Sequence, residues 1–404
     1  MRDLELENTD IPVKSHVPYQ HLPPMALDLR VAFYLFVASI AADNFDIIAR
    51  LSIPHLFGFV LLIIITVRGK WFLKMPDKTF WFFIAYLAIF AMSVKWINPF
   101  FFAYWQKRML QLTEYLLFFW VCSILLSYRQ IIENALYAFS YSLITMVLLA
   151  RLHVPGFASE KAVEYYADRA TVGTADPNGF TLFMGIAFLF LLDRLMSYHY
   201  KTGKINKWLT IVLIYMMTEI IQAGSRGGQL AIAGGLLTIL FTNQYKMKRR
   251  SVIAILIIAL LSFTMMSFYS ENMSKRWKET INEGSMSNRE NIYPLCVEMI
   301  KKKPVLGYGP GEHLYVLGGM MNSEEKDPHN SFFWVIHEVG FVGGIPYMIG
   351  FILCGVLAFK KRKKPFGSIA LALWVLILIG SLDLSLIYRK STWFILSLAA
   401  SDEL

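Results

Sequence analysis

The sequence predicts an all-α, polytopic integral membrane protein with about twelve transmembrane helices and one large helical outer loop. Three observations carry this reading. Of the 404 residues, 56% are hydrophobic and only 17% charged, against roughly 25% charged in soluble domains, and mean hydropathy is +0.48. Apolar runs of membrane-crossing length recur along the chain, and twelve segments of about 20 residues would use about 240 of them, leaving ordinary connections. Finally, Lys and Arg gather in every second connection, as a membrane-inserted chain requires.

In chain order the apolar runs fall near 28–42, 52–67, 79–95, 109–127, 132–150, 178–197, 207–223, 228–242, 251–269, 331–358, 366–386 and 391–402, the first and last being short. The basic connections hold Arg68, Lys70, Lys74 and Lys78; Arg129; Lys201, Lys204 and Lys207; Lys246, Lys248, Arg249 and Arg250; and Lys360, Lys361, Arg362, Lys363 and Lys364. Positive charge is retained on the cytoplasmic side, so both termini are expected there, including a polar tail over 1–27. No apolar stretch follows the start closely enough for a cleavable signal, so the first span is expected to direct insertion. The chain then reads as one polytopic domain, 1–404, whose alternate loops face outward. Two of these are long, 151–177 and 270–330, and long connections in compact folds usually carry function. Lys301, Lys302 and Lys303 lie in the second, but long loops cross the membrane largely regardless of charge.

The net charge of +10 is accounted for by these topogenic residues, which leaves nucleic acid an unlikely partner. Cys122, Cys296 and Cys354 are too dispersed for a disulfide framework or a CxxC site. No internal repeat is evident, so repeat-built transporters gain no support.

The polar residues that look most deliberate gather on the expected outer face. Gly224-Ser225-Arg226-Gly227-Gly228 forms a tight outward connection that sets an arginine at headgroup level; taken alone, that arginine reads equally well as a snorkelling residue. Asn288-Arg289-Glu290-Asn291-Ile292-Tyr293 opens an amphipathic helix to about Lys303, with Ile292, Leu295, Val297, Met299 and Ile300 as its apolar contacts. The Gly-rich turn Pro304–Gly311 lacks the GK[ST] ending of a phosphate loop. Asp327-Pro328-His329-Asn330-Ser331 precedes the long apolar span that holds His337, Glu338, Gly340, Gly343 and Gly344. His329 and His337 are eight residues apart, about 80° around a helix, so they share no metal-binding face. Gly340 and Gly344 have GxxxG spacing, which predicts close helix packing.

Together these elements suggest one chemistry. Arg226 and Arg289 could hold a lipid-linked pyrophosphate by bidentate, charge-assisted hydrogen bonds, doing what a divalent metal does elsewhere. His329 is then the nearby group suited to general base work, and cationic neighbours disfavour its imidazolium form.

The chain resembles the O-antigen ligase and O-antigen polymerase superfamily of bacterial membrane glycosyltransferases. The matching residues are Pro328-His329-Asn330 with Glu338, Gly340 and Gly343 behind them; Arg289 with Pro304, Gly307 and Gly309; Ser225-Arg226-Gly227; and Asp176-Pro177-Asn178-Gly179. They keep the family's order over 169–344, whereas the spans before about 150 are similar only in being hydrophobic. Tyr293 departs from the pattern, which more often has Trp. The resemblance implies a GT-C-like, metal-independent, inverting enzyme without cofactor in the bacterial inner membrane, with its active site facing the periplasm. Its implied donor is an undecaprenyl-pyrophosphate-linked glycan and its acceptor a lipid A-core saccharide. Carried over, His329 looks like the catalytic base and Arg226 and Arg289 like the pyrophosphate-binding arginines. Arg169, Ser225, Asn330, Tyr293 and Arg389 are further candidate substrate contacts, with Arg389 and Lys390 alternatively anchoring a short final helix. Glu114, Glu219 and Asp383 lie in or near apolar spans, where an ionisable group normally has a partner, unassigned from sequence.

Three functions are therefore expected in order. A ligase acting on lipid A-core comes first, and a polymerase joining lipid-linked repeats second. A flippase of lipid-linked oligosaccharide comes third, since it would need charges along a midplane path rather than at one face.

Overall fold

The computed structural model describes residues 25–43, 46–48, 51–68, 75–154, 157, 169, 171–172, 176–242 and 271–401. The described helices are α1 (Leu27–Ile40), α2 (Ile53–Arg68), α3 (Lys78–Met92), α4 (Phe102–Leu125), α5 (Arg129–Arg151), α6 (Pro177–Thr202), α7 (Lys207–Gln222), α8 (Arg226–Thr242), α9 (Glu271–Glu283), α10 (Arg289–Lys302), α11 (Glu312–Met320), α12 (Ser331–Lys361), α13 (Gly367–Ser381) and α14 (Lys390–Ala400). The fold is all-helical apart from a small antiparallel ribbon, β1 (Asp46–Ile48) with β2 (Leu51–Ser52). Eleven of the apolar runs read from sequence coincide with helices; the run 251–269, the loop residues Lys246, Lys248, Arg249 and Arg250, and most of the 1–27 tail and the 151–177 loop lie outside the described residues. Among the described residues, five helices are long and apolar enough to cross a membrane, namely α3, α4, α5, α6 and α12, while α2 and α13 are shorter apolar helices.

The bundle is apolar on both its inner and outer surfaces. Phe33, Phe83, Phe119, Phe139, Phe190 and Trp393 fill the interior, while Phe59 and Val67 on α2, Trp208 and Ile211 on α7 and Phe241 on α8, the last 83% exposed, face outward. In water such a band would be untenable, but in hydrocarbon it costs nothing. Helix α8 packs against α13 and α6, α3 against α12, α1 against α2 and α5, and α14 against α4, α12 and α13. Every residue of α14 from Lys390 to Ala400 is buried, so this eleven-residue helix has protein on all sides.

Helix α12 is broken at Gly340, which adopts φ 61° and ψ −167°. The break releases two carbonyls and two amides that the segment after α10 takes up: Tyr308 N–H donates to His337 O (2.7 Å), Gly309 N–H to Glu338 O (3.0 Å), Phe341 N–H to Pro304 O (2.8 Å) and Val342 N–H to Val305 O (3.2 Å). A Cβ at Gly340 would overlap the Val305 carbonyl. The GxxxG expectation is corrected here: Gly340 admits a strap of backbone rather than a second helix, and Gly343 is the packing glycine, set against Val339 and Ile89. From Phe341 to Lys360 is about 30 Å of helix, the thickness of a hydrocarbon core.

The stretch 271–330 contains the three helices α9, α10 and α11. On α10 the buried positions are Ile292, Cys296 and Met299, spaced i, i+4, i+7. Val297, expected among the apolar contacts, is 41% exposed. Its place is taken by Cys296, whose carbonyl also pairs with His337 Nε2 at 3.0 Å.

Candidate active site

The start of α6, the turn between α7 and α8, α9, the start of α10, the turn before α12 and the loop 382–389 meet at one end of the bundle. Asp383, in that last loop, lies at their centre. Arg289 Nε is 2.8 Å from Asp383 Oδ1, and its Nη2 donates to the Asp383 carbonyl at 2.8 Å. Gly227 has no room for a side chain because a Cβ would overlap the Asp383 carboxylate, so the glycine after Arg226 lets this turn close on the loop. Burial pushes the Asp383 carboxyl above the usual carboxylate range, against the opposing pull of Arg289, His329, Arg226 and Arg276.

Arg226 begins α8 and reaches over α9. Its Nη1 donates to Arg276 O (2.6 Å), to Ser285 O (3.1 Å) and to the Thr280 hydroxyl, and its Nη2 to Ser287 Oγ (2.5 Å). Arg276 completes the turn by donating to Gly224 O and to Ser287 Oγ at 3.0 Å. Burial, then the like charges of Arg226 and Arg289, lower the affinity of Arg276 for its proton. Three guanidiniums gather around Asp383, with Glu279 and Glu290 as further acids acting on Arg226, and such an arginine cluster favours anions. Arg276 was not among the candidates read from sequence. The signal was present in Ser274-Lys275-Arg276-Trp277-Lys278, a basic stretch on a helix whose partner could not be known before the fold.

His329 stands at the N-terminal entrance of α12 with φ 49°, a left-handed conformation uncommon outside glycine. Its N–H donates to Asp327 Oδ1 at 2.6 Å, its Nδ1 lies 3.8 Å from the same oxygen, and its carbonyl accepts from Tyr293 Oη at 3.3 Å. Tyr293 Oη also donates to Leu382 O at 2.5 Å, and burial pushes its phenol up.

The remaining candidates also make contacts that hold the local backbone. Asn330 caps α12, its Oδ1 accepting from Phe332 N (2.9 Å) and Phe333 N (3.1 Å), with its amide donating to Leu382 O at 3.3 Å. Ser225 is buried and its Oγ accepts from Gly228 N at 3.1 Å. Both side chains act here as helix caps, because Asn and Ser side chains satisfy the amides left open at a helix start. Asp176 does the same for α6, accepting from Asn178 N (3.0 Å) and Gly179 N (2.9 Å) with Pro177 at the first helical position. Arg169 donates to Ala223 O (2.8 Å) and Asn178 Oδ1 (3.1 Å), so it bridges the α6 start to the α7–α8 turn. Arg389 is 3.4 Å from Asp176 Oδ2.

Lys390 is the clearest departure from a snorkelling residue. Its side chain is 2% exposed and lies 3.0 Å from Asp43 and 3.6 Å from Glu114; Glu114 also pairs with His55 Nε2 at 3.2 Å. Glu219 pairs with Arg151 at 2.5 Å. Each acid left unassigned by the sequence thus has a basic partner. Glu338, behind the site, accepts from Tyr388 Oη at 3.0 and 2.9 Å. Among the described residues no three His, Cys, Asp or Glu side chains are grouped to hold a metal ion.

An α-helical bundle with several membrane-crossing helices and an arginine-rich, histidine-bearing cluster at one end defines a multi-pass membrane protein. Residues 211–348 match the family model described as O-antigen ligase. No curated protein matches this chain. The matched segment contains Arg226, Arg276, Arg289 and His329, whereas Asp383 lies beyond it.

Proposed function

We propose that this protein is an O-antigen ligase-type glycosyltransferase of the bacterial inner membrane. It moves a preassembled glycan from undecaprenyl pyrophosphate to a hydroxyl of lipid A-core saccharide at the periplasmic face. The observation that carries the reading is the convergence of Arg226, Arg276, Arg289 and His329 on Asp383, within a family-matched segment. The arginines would bind the pyrophosphate by charge-assisted hydrogen bonds, with Asp383 orienting Arg289. His329 would remove the acceptor proton as the acceptor oxygen attacks the anomeric carbon. The bond from that carbon to the pyrophosphate oxygen then breaks, and its electron pair leaves with undecaprenyl pyrophosphate, whose charge the guanidiniums stabilise. Attack opposite the leaving group inverts the anomeric centre. The alternating basic loops support about twelve crossings with cytoplasmic termini and this end of the bundle facing outward, and the family resemblance supports a GT-C-like arrangement.

A polymerase shares donor and chemistry but uses a lipid-linked repeat as acceptor. Lipopolysaccharide gels of a deletion strain complemented with the wild-type gene or with His329→Ala separate the two. Loss of all capped lipopolysaccharide, with long glycan accumulating on undecaprenyl pyrophosphate, is the ligase result, restored by wild type and not by His329→Ala. Core bearing a single repeat is the polymerase result. The clustering of conspicuous charge at one end argues against a flippase. In purified form, transfer is expected to survive chelation by EDTA unchanged, and its loss would remove the arginine-for-metal argument.

A further inference from the structure

We propose that Asp327 is the positioning residue for His329. Its carboxylate holds the strained turn that presents the imidazole and faces Nδ1, leaving Nε2 to take the acceptor proton. This rests on the reading of His329 as the base.

Three observations converge on one oxygen. Asp327 Oδ1 accepts the His329 backbone N–H at 2.6 Å, which stabilises a left-handed histidine at φ 49°, a sparsely populated conformation that persists where its surroundings hold it. The same oxygen accepts from Ser385 Oγ at 2.6 Å, joining the histidine turn to the loop that carries Asp383. It also lies 3.8 Å from His329 Nδ1, near enough for a small ring movement to make a hydrogen bond when substrate arrives, since such contacts are often long before substrate binds. An anion facing one ring nitrogen selects the tautomer with its proton there and stabilises the imidazolium that forms. Pro328, between the two residues, restricts the turn further.

The groups around His329 are Asp327 on its own turn, Asp383 and Ser385 from the loop before α14, and Tyr293 and Arg289 from α10, with Arg226 and Arg276 beyond Asp383. The Asp383 charge is engaged by Arg289 at 2.8 Å, which leaves Asp327 as the carboxylate that addresses the ring.

The test is Asp327→Asn in the purified full-length protein, with kcat, KM for the lipid-linked donor and the pH profile of kcat measured together. Asparagine keeps an oxygen for the His329 N–H and Ser385 but loses the charge. The expected result is a fall in kcat of about tenfold or more, little change in donor KM, and an acid limb moved to lower pH by about half a unit or more, because removing an anion disfavours the imidazolium. Ser385→Ala, which loosens the same carboxylate without removing its charge, leaves the limb in place. An Asp327→Asn limb that coincides with wild type overturns the proposal, whatever happens to kcat. Should that variant fold poorly, Asp327→Glu retains the charge and is expected to lower kcat with the limb unmoved; a shifted limb there is equally contrary. His329→Ala separates the two levels. If it keeps full activity the reading of the base fails, whereas a dead His329→Ala with an unmoved Asp327→Asn limb refutes the role of Asp327 alone.

Discussion

Asp383 shows most clearly how individual residues divide stability from function. Its carboxyl is raised mainly by burial, so the folded chain holds that proton more tightly than the unfolded chain does. Its contribution to stability is therefore present in acid and is lost as pH rises through the raised value. Its charged form is held at some cost in stability, as expected of a group kept for what it orients. Asp383→Asn should accordingly leave the thermal midpoint in detergent unchanged or higher, while transfer falls about tenfold or more as Arg289 loses its partner; a fall in both together would mean that the pair is structural. Asp383 and Arg276 also mark the limit of the sequence at this scale. His329, Arg226 and Arg289 were legible because each sits in a short motif whose chemistry is local. The partner of Asp383 lies on another helix 94 positions away, and no periodicity encodes that.

Helix positions were legible because long apolar runs between basic loops leave few alternatives, and the caps at Asp176 and Asn330 mark starts by the usual amide-accepting chemistry. What the pattern hid was the interruption of α12. Glycine at 340 reads equally as a packing notch or a break, and only the strap from Pro304 to Gly309 decides between them by taking the released hydrogen bonds. Gly340→Ala is expected to destabilise the protein by more than the roughly 1–3 kcal/mol of an unfavourable backbone conformation, since the added Cβ also meets the Val305 carbonyl. Gly319→Ala makes the control, because nothing lies within 4 Å of its Cβ position and its helical residue should tolerate the change. Thermal unfolding of both in detergent checks this, and equal midpoints would refute the account of the break.

Across the whole molecule, the N-terminal helices are tied to the site by buried charge. Lys390, next to the Asp383 loop, reaches Asp43 at the end of α1 and Glu114 on α4. The loop's other ties are Ser331 Oγ donating to Leu384 O (2.8 Å), Tyr115 Oη to Tyr388 O (3.1 Å) and Trp393 Nε1 to Ile387 O (2.8 Å). Sequence could assign these first spans only hydrophobicity, because an ion pair between residues 347 positions apart leaves no local trace. Lys390→Met strands Asp43 and leaves Glu114 with His55 alone, and should cost about 3–5 kcal/mol, whereas breaking the exposed Arg68–Asp28 pair should change stability little; similar losses in the two variants would show that Lys390 is no structural anchor. We propose glycosyl transfer at this end of the bundle, with His329 as base and arginines holding the pyrophosphate. Its most direct test is single-turnover transfer by purified His329→Ala, measured beside binding of the undecaprenyl-pyrophosphate-linked donor. Donor binding close to wild type with transfer reduced by about 10²–10⁴-fold is the predicted result, and wild-type transfer by a folded His329→Ala protein would contradict it.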